Sequence, residues 1–179
     1  LGDPCNIETL VRAIPEVLRQ AGQARFLFTW NYAQPKVLQW IRNELERQGT
    51  EDKVRLVGHV PHEELAAYYQ AADVFVSLAT WDSGPISMVE AMACGAVPVM
   101  GTLPSVREWI EDGVNGYLVS QKDVAQVAAT IARVLQHPDT AREMACRNRQ
   151  AVQERADFNE RMAFMEQRYR DLSQKRLQC

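Results

Sequence analysis

The residues best suited to chemistry lie in one stretch, Ala79-Thr-Trp-Asp-Ser-Gly-Pro-Ile-Ser-Met-Val-Glu-Ala-Met-Ala-Cys-Gly95. It carries two carboxylates, Asp82 and Glu90, with the small residues Ser83 and Gly84 beside the first and Pro85 placed to start a helix. Ionised carboxylates only accept hydrogen bonds and can grip a vicinal diol through both oxygens. The backbone around Pro85, Ile86 and Ser87 would form a helix amino terminus, whose unpaired N–H groups and partial positive charge favour phosphate. Together these groups describe a site for a sugar, a diphosphate and a ribose. The same residues admit a purely local reading. Ser87-Met-Val-Glu90 has the spacing of a capping box, in which Glu90 would bond the Ser87 N–H, and Asp82 could be a helix cap.

Positioning such a site requires a strand on one side and a helix on the other. Apolar runs at Arg25–Trp30, Lys53–Val57, Asp73–Leu78, Val97–Met100 and Gly116–Val119 read as buried strands. Between them helical spacing predicts Ile7–Gln20, Pro35–Gln48, Glu63–Ala71, Ile86–Cys94 and Ser105–Glu111. Alternation of this kind implies an α/β fold, a doubly wound parallel sheet with helices on both faces. Ligands of such sheets sit outside the carboxyl ends of the strands, which is where Ala79–Ser87 falls. Beyond residue 120 the strands stop. Val124, Val127, Ala128, Ile131 and Leu135 mark one helix face, and after Pro138 a helical tail runs to the end. The tail is net basic, which fits a solvated helix with pairs such as Asp157–Arg161 better than a nucleic-acid or membrane-binding arm.

Composition narrows the function further. The chain has 179 residues, 46% hydrophobic and 24% charged, with a net charge of -3. That suits one globular domain or a domain with an appendage, and argues against nucleic acid as a partner. Cys5, Cys94, Cys146 and Cys179 form no C-x-x-C pair, so neither a zinc ribbon nor a dithiol redox site is expected. With free thiols, no long apolar run and no signal pattern, a cytoplasmic protein is expected. His59, His62, Glu63 and Glu64 superficially suggest a metal cluster, but Pro61 places them at a turn, and no metal is expected. The first methionine is Met88 and the chain opens Leu-Gly-Asp-Pro, so a processed chain or a piece of a longer one is expected. Cys179 should be exposed, Cys94 a small buried hydrophobe, and Trp81 is the tryptophan placed to touch a ligand.

Asp82 to Gly95, followed by Pro98-Val99, closely resembles the E-x7-E segment of retaining GT-B glycosyltransferases, family 4 or glycosyl transferases group 1. Upstream, Val54-Arg-Leu-Val-Gly-His-Val60 with Leu65, Tyr69 and Ala72-Asp73-Val74 matches the same pattern, and so does Glu108-Trp-Ile-Glu-Asp-Gly-Val-Asn-Gly116 downstream. The resemblance implies the carboxyl-terminal, donor-binding half of a GT-B fold: a Rossmann-like domain over 1–155 and a crossover helix over 156–179. It implies Glu90 on the nucleotide ribose and Asp82 against the donor sugar, as the catalytic pair. Gly58, His59 and Val60 would border the base, and Ser83, Gly84, Pro85, Ile86 and Ser87 the sugar and phosphates. It implies a UDP- or GDP-linked sugar donor and a saccharide or lipid-linked glycan acceptor. It further implies an amino-terminal partner domain, no metal or other cofactor, and peripheral membrane association of the full enzyme. The departures are Asp82 where glutamate is usual, Ser83 for glycine, Cys5 where a lysine often stands, and Thr29–Tyr32 for a glycine-rich turn. The family's first strand falls before Leu1 or is absent. These departures leave open a degenerate, non-catalytic binding module of the same ancestry.

Overall fold

The computed structural model describes residues 5–176, and Cys179 lies outside them. In chain order the elements are α1 (Ile7–Gln20), β1 (Phe26–Thr29), α2 (Pro35–Gln48), β2 (Val54–Gly58), α3 (His62–Gln70), β3 (Val74–Ser77) and α4 (Ile86–Cys94). There follow β4 (Val97–Gly101), α5 (Pro104–Arg107), β5 (Tyr117–Val119), α6 (Val124–Gln136), α7 (Pro138–Ala156) and α8 (Phe158–Arg176). All the strand pairs among the described residues are parallel, as short apolar runs separated by helices lead one to expect.

Pairing divides the strands into two groups, β1-β2 and β3-β4-β5. Among the described residues, β1 and β3 each keep one edge without a partner strand. α1 holds the two groups together. Its Val11 and Ile14 pack on Phe28 with Ile41 and Leu45 of α2, while Ala13 and Val17 pack with Leu78, Val97, Val99 and the α6 residues Val127, Ala128 and Ile131. The Asn6 side-chain amide also donates to the Leu78 carbonyl at 2.8 Å, tying the start of α1 to the end of β3.

Alternation along the strands decides which helix each side chain meets. Val97 and Val99 of β4 face α1 and α6, whereas Met100 faces Met88 and Met92 of α4 and Val106 of α5. Full burial of one such side chain is worth about 1.5–3 kcal/mol. α4 is therefore fixed by two methionines on its inner face, which leaves its amino end and Glu90 toward the strand termini.

Two sequence expectations change. The predicted helix Ser105–Glu111 is only the single turn Pro104–Arg107. Asn115 turns back on the segment, accepting the Glu111 N–H at 2.8 Å and donating to the Trp109 carbonyl at 2.9 Å, so these groups serve a loop instead of a helix. Asp157 does not pair with Arg161. It separates α7 from α8, and its Oδ1 accepts the Glu160 N–H at 3.0 Å, while Arg161 donates to the Glu154 carbonyl at 3.1 Å. The helical tail is thus two helices with a cap between them. Along α8, Phe158, Met162, Met165, Tyr169 and Leu172 recur at alternate spacings of four and three residues, and all are exposed. No helix among the described residues is long and apolar enough to cross a membrane.

Candidate functional site

Glu90 occupies the second turn of α4, and its side chain is 29% exposed. The capping-box alternative is not what forms. α4 starts after Pro85, so Ser87 already lies within the helix, and no side chain caps it. Glu90 instead faces α3. Its Oε1 lies 3.8 Å from His62 Nε2. The Tyr69 phenol also lies within electrostatic reach of Glu90 and close to Ser87. Burial pushes the Tyr69 phenol above its ordinary value, with the Ser87 hydroxyl opposing and the Glu90 charge adding to the rise. Its ring meets Phe75 of β3 edge-on, centroids 6.0 Å apart. His62 and Tyr69 are seven residues apart, two turns of one helix face, which brings both to the same carboxylate.

The loop from β3 to α4 is held from both ends. Asp82 Oδ1 accepts the Gly84 N–H at 2.9 Å, a local Asx turn, so Asp82 is not the cap of α4. The Asp82 carbonyl accepts the Ser105 hydroxyl at 2.6 Å. The Ile86 N–H is taken by the Gly84 carbonyl at 2.8 Å. Pro85 has no N–H, and among the described residues the amides of Ser87 and Met88 have no partner at this helix start. A Cβ on Gly84 would meet nothing within 4 Å, so this backbone faces open space. Trp81 stands 76% exposed beside the turn, and Ile86 is also exposed.

The second junction, β2 to α3, carries Gly58, His59 and Val60. Gly58 has φ 87, a conformation that a side chain would strain, and its carbonyl accepts the Trp30 N–H at 3.1 Å. Val60 is buried, whereas His59 is exposed with Nδ1 3.4 Å from Asn31 Oδ1. The His62–Glu90 approach brings the start of α3, just after this junction, against α4. Sequence reasoning weighed His62 only as a metal ligand and gave Tyr69 no chemical role. The seven-residue spacing was their available signal. Among the described residues no three His, Cys, Asp or Glu side chains converge as a metal site would need. Cys94, expected to be buried, is half-buried one turn beyond Glu90. Burial pushes its thiol up and the Glu90 charge adds to this, against Arg149.

Comparison with known proteins bears on the family and the fold. The chain is 36% identical over 107 residues to a D-inositol 3-phosphate glycosyltransferase of Thermobispora bispora, covering 60% of this chain and 24% of that protein. It is 32% identical over 120 residues to the amylovoran biosynthesis glycosyltransferase AmsK of Erwinia amylovora, covering 64% and 29%. It thus spans about a quarter of the length of the curated relatives it matches. Among solved structures, sucrose-phosphate synthase of Thermosynechococcus elongatus superposes with TM-score 0.85 at 28% identity, covering 96% of this chain and 43% of that one. Anabaena HepE in complex with UDP-glucose superposes with TM-score 0.81 at 20% identity, covering 97% and 46%, which shows a shared fold. Residues 2–151 match the family description "Glycosyl transferases group 1", and the chain belongs to that family.

Proposed function

We propose that this chain is the nucleotide-sugar-binding half of a retaining glycosyltransferase that moves a sugar from a UDP- or GDP-linked donor to a hydroxyl of a saccharide or lipid-linked glycan. The observation that carries this reading is the state of Glu90. Its carboxylate is not spent on its own helix; it is partly exposed and faces α3, on the helix whose first amides, Ser87 and Met88, have no partner among the described residues. A carboxylate so placed can accept both hydroxyls of a ribose, while the Ser87 and Met88 amides and the α4 dipole receive the diphosphate. Stabilising the charge on the departing diphosphate is the main electrostatic task of such a transfer, and fixed backbone donors perform it without reorganising. Gly58, His59 and Val60 border the base. The UDP-glucose complex of Anabaena HepE supports the same donor class.

The exposed apolar row of α8 fits a docking surface for an amino-terminal domain, because unpaired apolar stripes of this size mark interfaces. The acceptor would bind between the two domains. Closing both around the substrates supplies the reactive geometry, so the 179-residue chain alone is expected to show no transfer from UDP- or GDP-glucose to a glycan acceptor. Turnover by these residues alone would overturn the two-domain reading.

One observation favours the alternative, a non-catalytic binding module. Asp82 has folded back on Gly84, and its shorter arm leaves only one oxygen toward a donor sugar. Asp82→Asn separates the two. The amide oxygen keeps the turn, so the melting temperature and UDP affinity should hold, the latter within about twofold. In an enzyme reassembled with its amino-terminal half, turnover should fall by at least about tenfold, because a charge facing the sugar is lost. Unchanged turnover would assign Asp82 to loop shaping alone.

A further inference from the structure

We infer that the cavity between α6, α7 and the start of β5 is a second binding site, for a phosphate monoester carried on a single apolar ring. The sequence builds it at one corner. His137 ends α6 and Pro138 begins α7, so a single residue joins the two helices. The His137 carbonyl accepts the Ala141 N–H at 3.0 Å, which fixes the turn. Arg133 and His137, four residues apart, share one face of α6, and Thr140 lies in the first turn of α7. All three line the cavity. Its floor is apolar, formed by Tyr117, Val134 and Met144, which are buried. A cavity of about 150 Å³ holds a benzene ring. This one, at about 230 Å³, has room for a ring and an attached anionic group. Arg133 lies 5.4 Å from the centroid of the Tyr117 ring, a contact that uses the flat face of the guanidinium and leaves its edge donors free. Neither Arg133 nor His137 has an acidic partner among the described residues, and no acidic side chain lines the cavity. The first acid of α7, Asp139, is held by Arg142 at 2.9 Å. An exposed arginine alone is ordinary; one that roofs an apolar cavity is placed to pair an anion whose body fills it. Guanidinium fork, imidazole and hydroxyl supply donors for the three terminal oxygens of a phosphate monoester. Tyr117 is the first residue of β5, whereas α4 starts beyond the carboxyl end of β3. The strands are parallel, so this cavity and the candidate nucleotide site lie at opposite ends of the sheet.

Phenyl phosphate carries both features and is the probe. Titrated into the isotope-labelled chain and followed by amide chemical shifts, it should bind with a Kd below about 1 mM. The shifts should centre on Tyr117 and on the stretch from Arg133 to Met144. Arg133→Gln, at an exposed position, should keep the fold and weaken binding at least about tenfold, because a charged hydrogen-bond donor is lost. Inorganic phosphate and phenol, each with one feature, should bind at least about tenfold more weakly than phenyl phosphate. No shifts at about 10 mM probe would overturn the inference, and so would an Arg133→Gln chain that binds as tightly as wild type. Inorganic phosphate binding as tightly as phenyl phosphate would overturn the ring-bearing ligand class. Shifts centred on Asp82 to Glu90 would put the anion at the start of α4, which overturns the second site and leaves the nucleotide reading standing.

Discussion

Glu90→Ala should weaken UDP or GDP binding by roughly 10–100-fold or more, with the thermal midpoint nearly unchanged. A hydrogen bond to a charged group is worth about 1.5–3 kcal/mol, and a ribose diol presents two donors to this carboxylate. The fold loses little in exchange. Glu90 caps nothing, and the inner face of α4 is carried by Met88 and Met92, both buried. Calorimetric titration and a melting curve on the same two proteins measure both quantities. Affinity within about threefold of wild type would mean that the acid does not touch the nucleotide. A large drop in melting temperature would instead assign it to the α3–α4 packing.

Gly116→Ala should be strongly destabilising, costing about 2–3 kcal/mol and lowering the melting temperature by roughly 5–10 °C. A Cβ there would stand 2.7 Å from Pro98 Cγ and 2.8 Å from the Pro98 carbonyl oxygen, with Ile110 Cδ1 at 3.3 Å. Relief would require moving β4, the wholly buried middle strand of its group, and close-packed interiors resist such shifts. Gly84→Ala is the matching control, since its Cβ would enter open space. Its melting temperature should stay within about 1 °C of wild type. Differential scanning calorimetry of the two variants decides the matter, and equal melting temperatures would disprove the predicted crowding.

Local pattern and long-range packing share the credit unevenly. The boundaries of α1, α2 and α4 are as the spacing predicts, because each is bounded by a residue with its own backbone preference, such as Pro35, Pro85 or Gly95. α5 fell short for a reason absent from its own residues. The groups that end it come from Asn115, beyond the turn. The pairing of the strands as β1-β2 and β3-β4-β5 was equally hidden from hydrophobic spacing, since pairing depends on which edges meet.

Read alone, the sequence determined that this is a parallel α/β protein with paired acids beside a helix start. Hydrophobic period, glycine and proline act over a few residues and need no partner. Only the tertiary structure decided what those acids bond to. Asp82 took the nearest amide, at Gly84, whereas Glu90 leaves its local option unused and faces α3, where His62 Nε2 lies 3.8 Å from its Oε1. A carboxylate goes to whichever donor is best oriented and least hydrated, and that competition is settled only when the helices have docked.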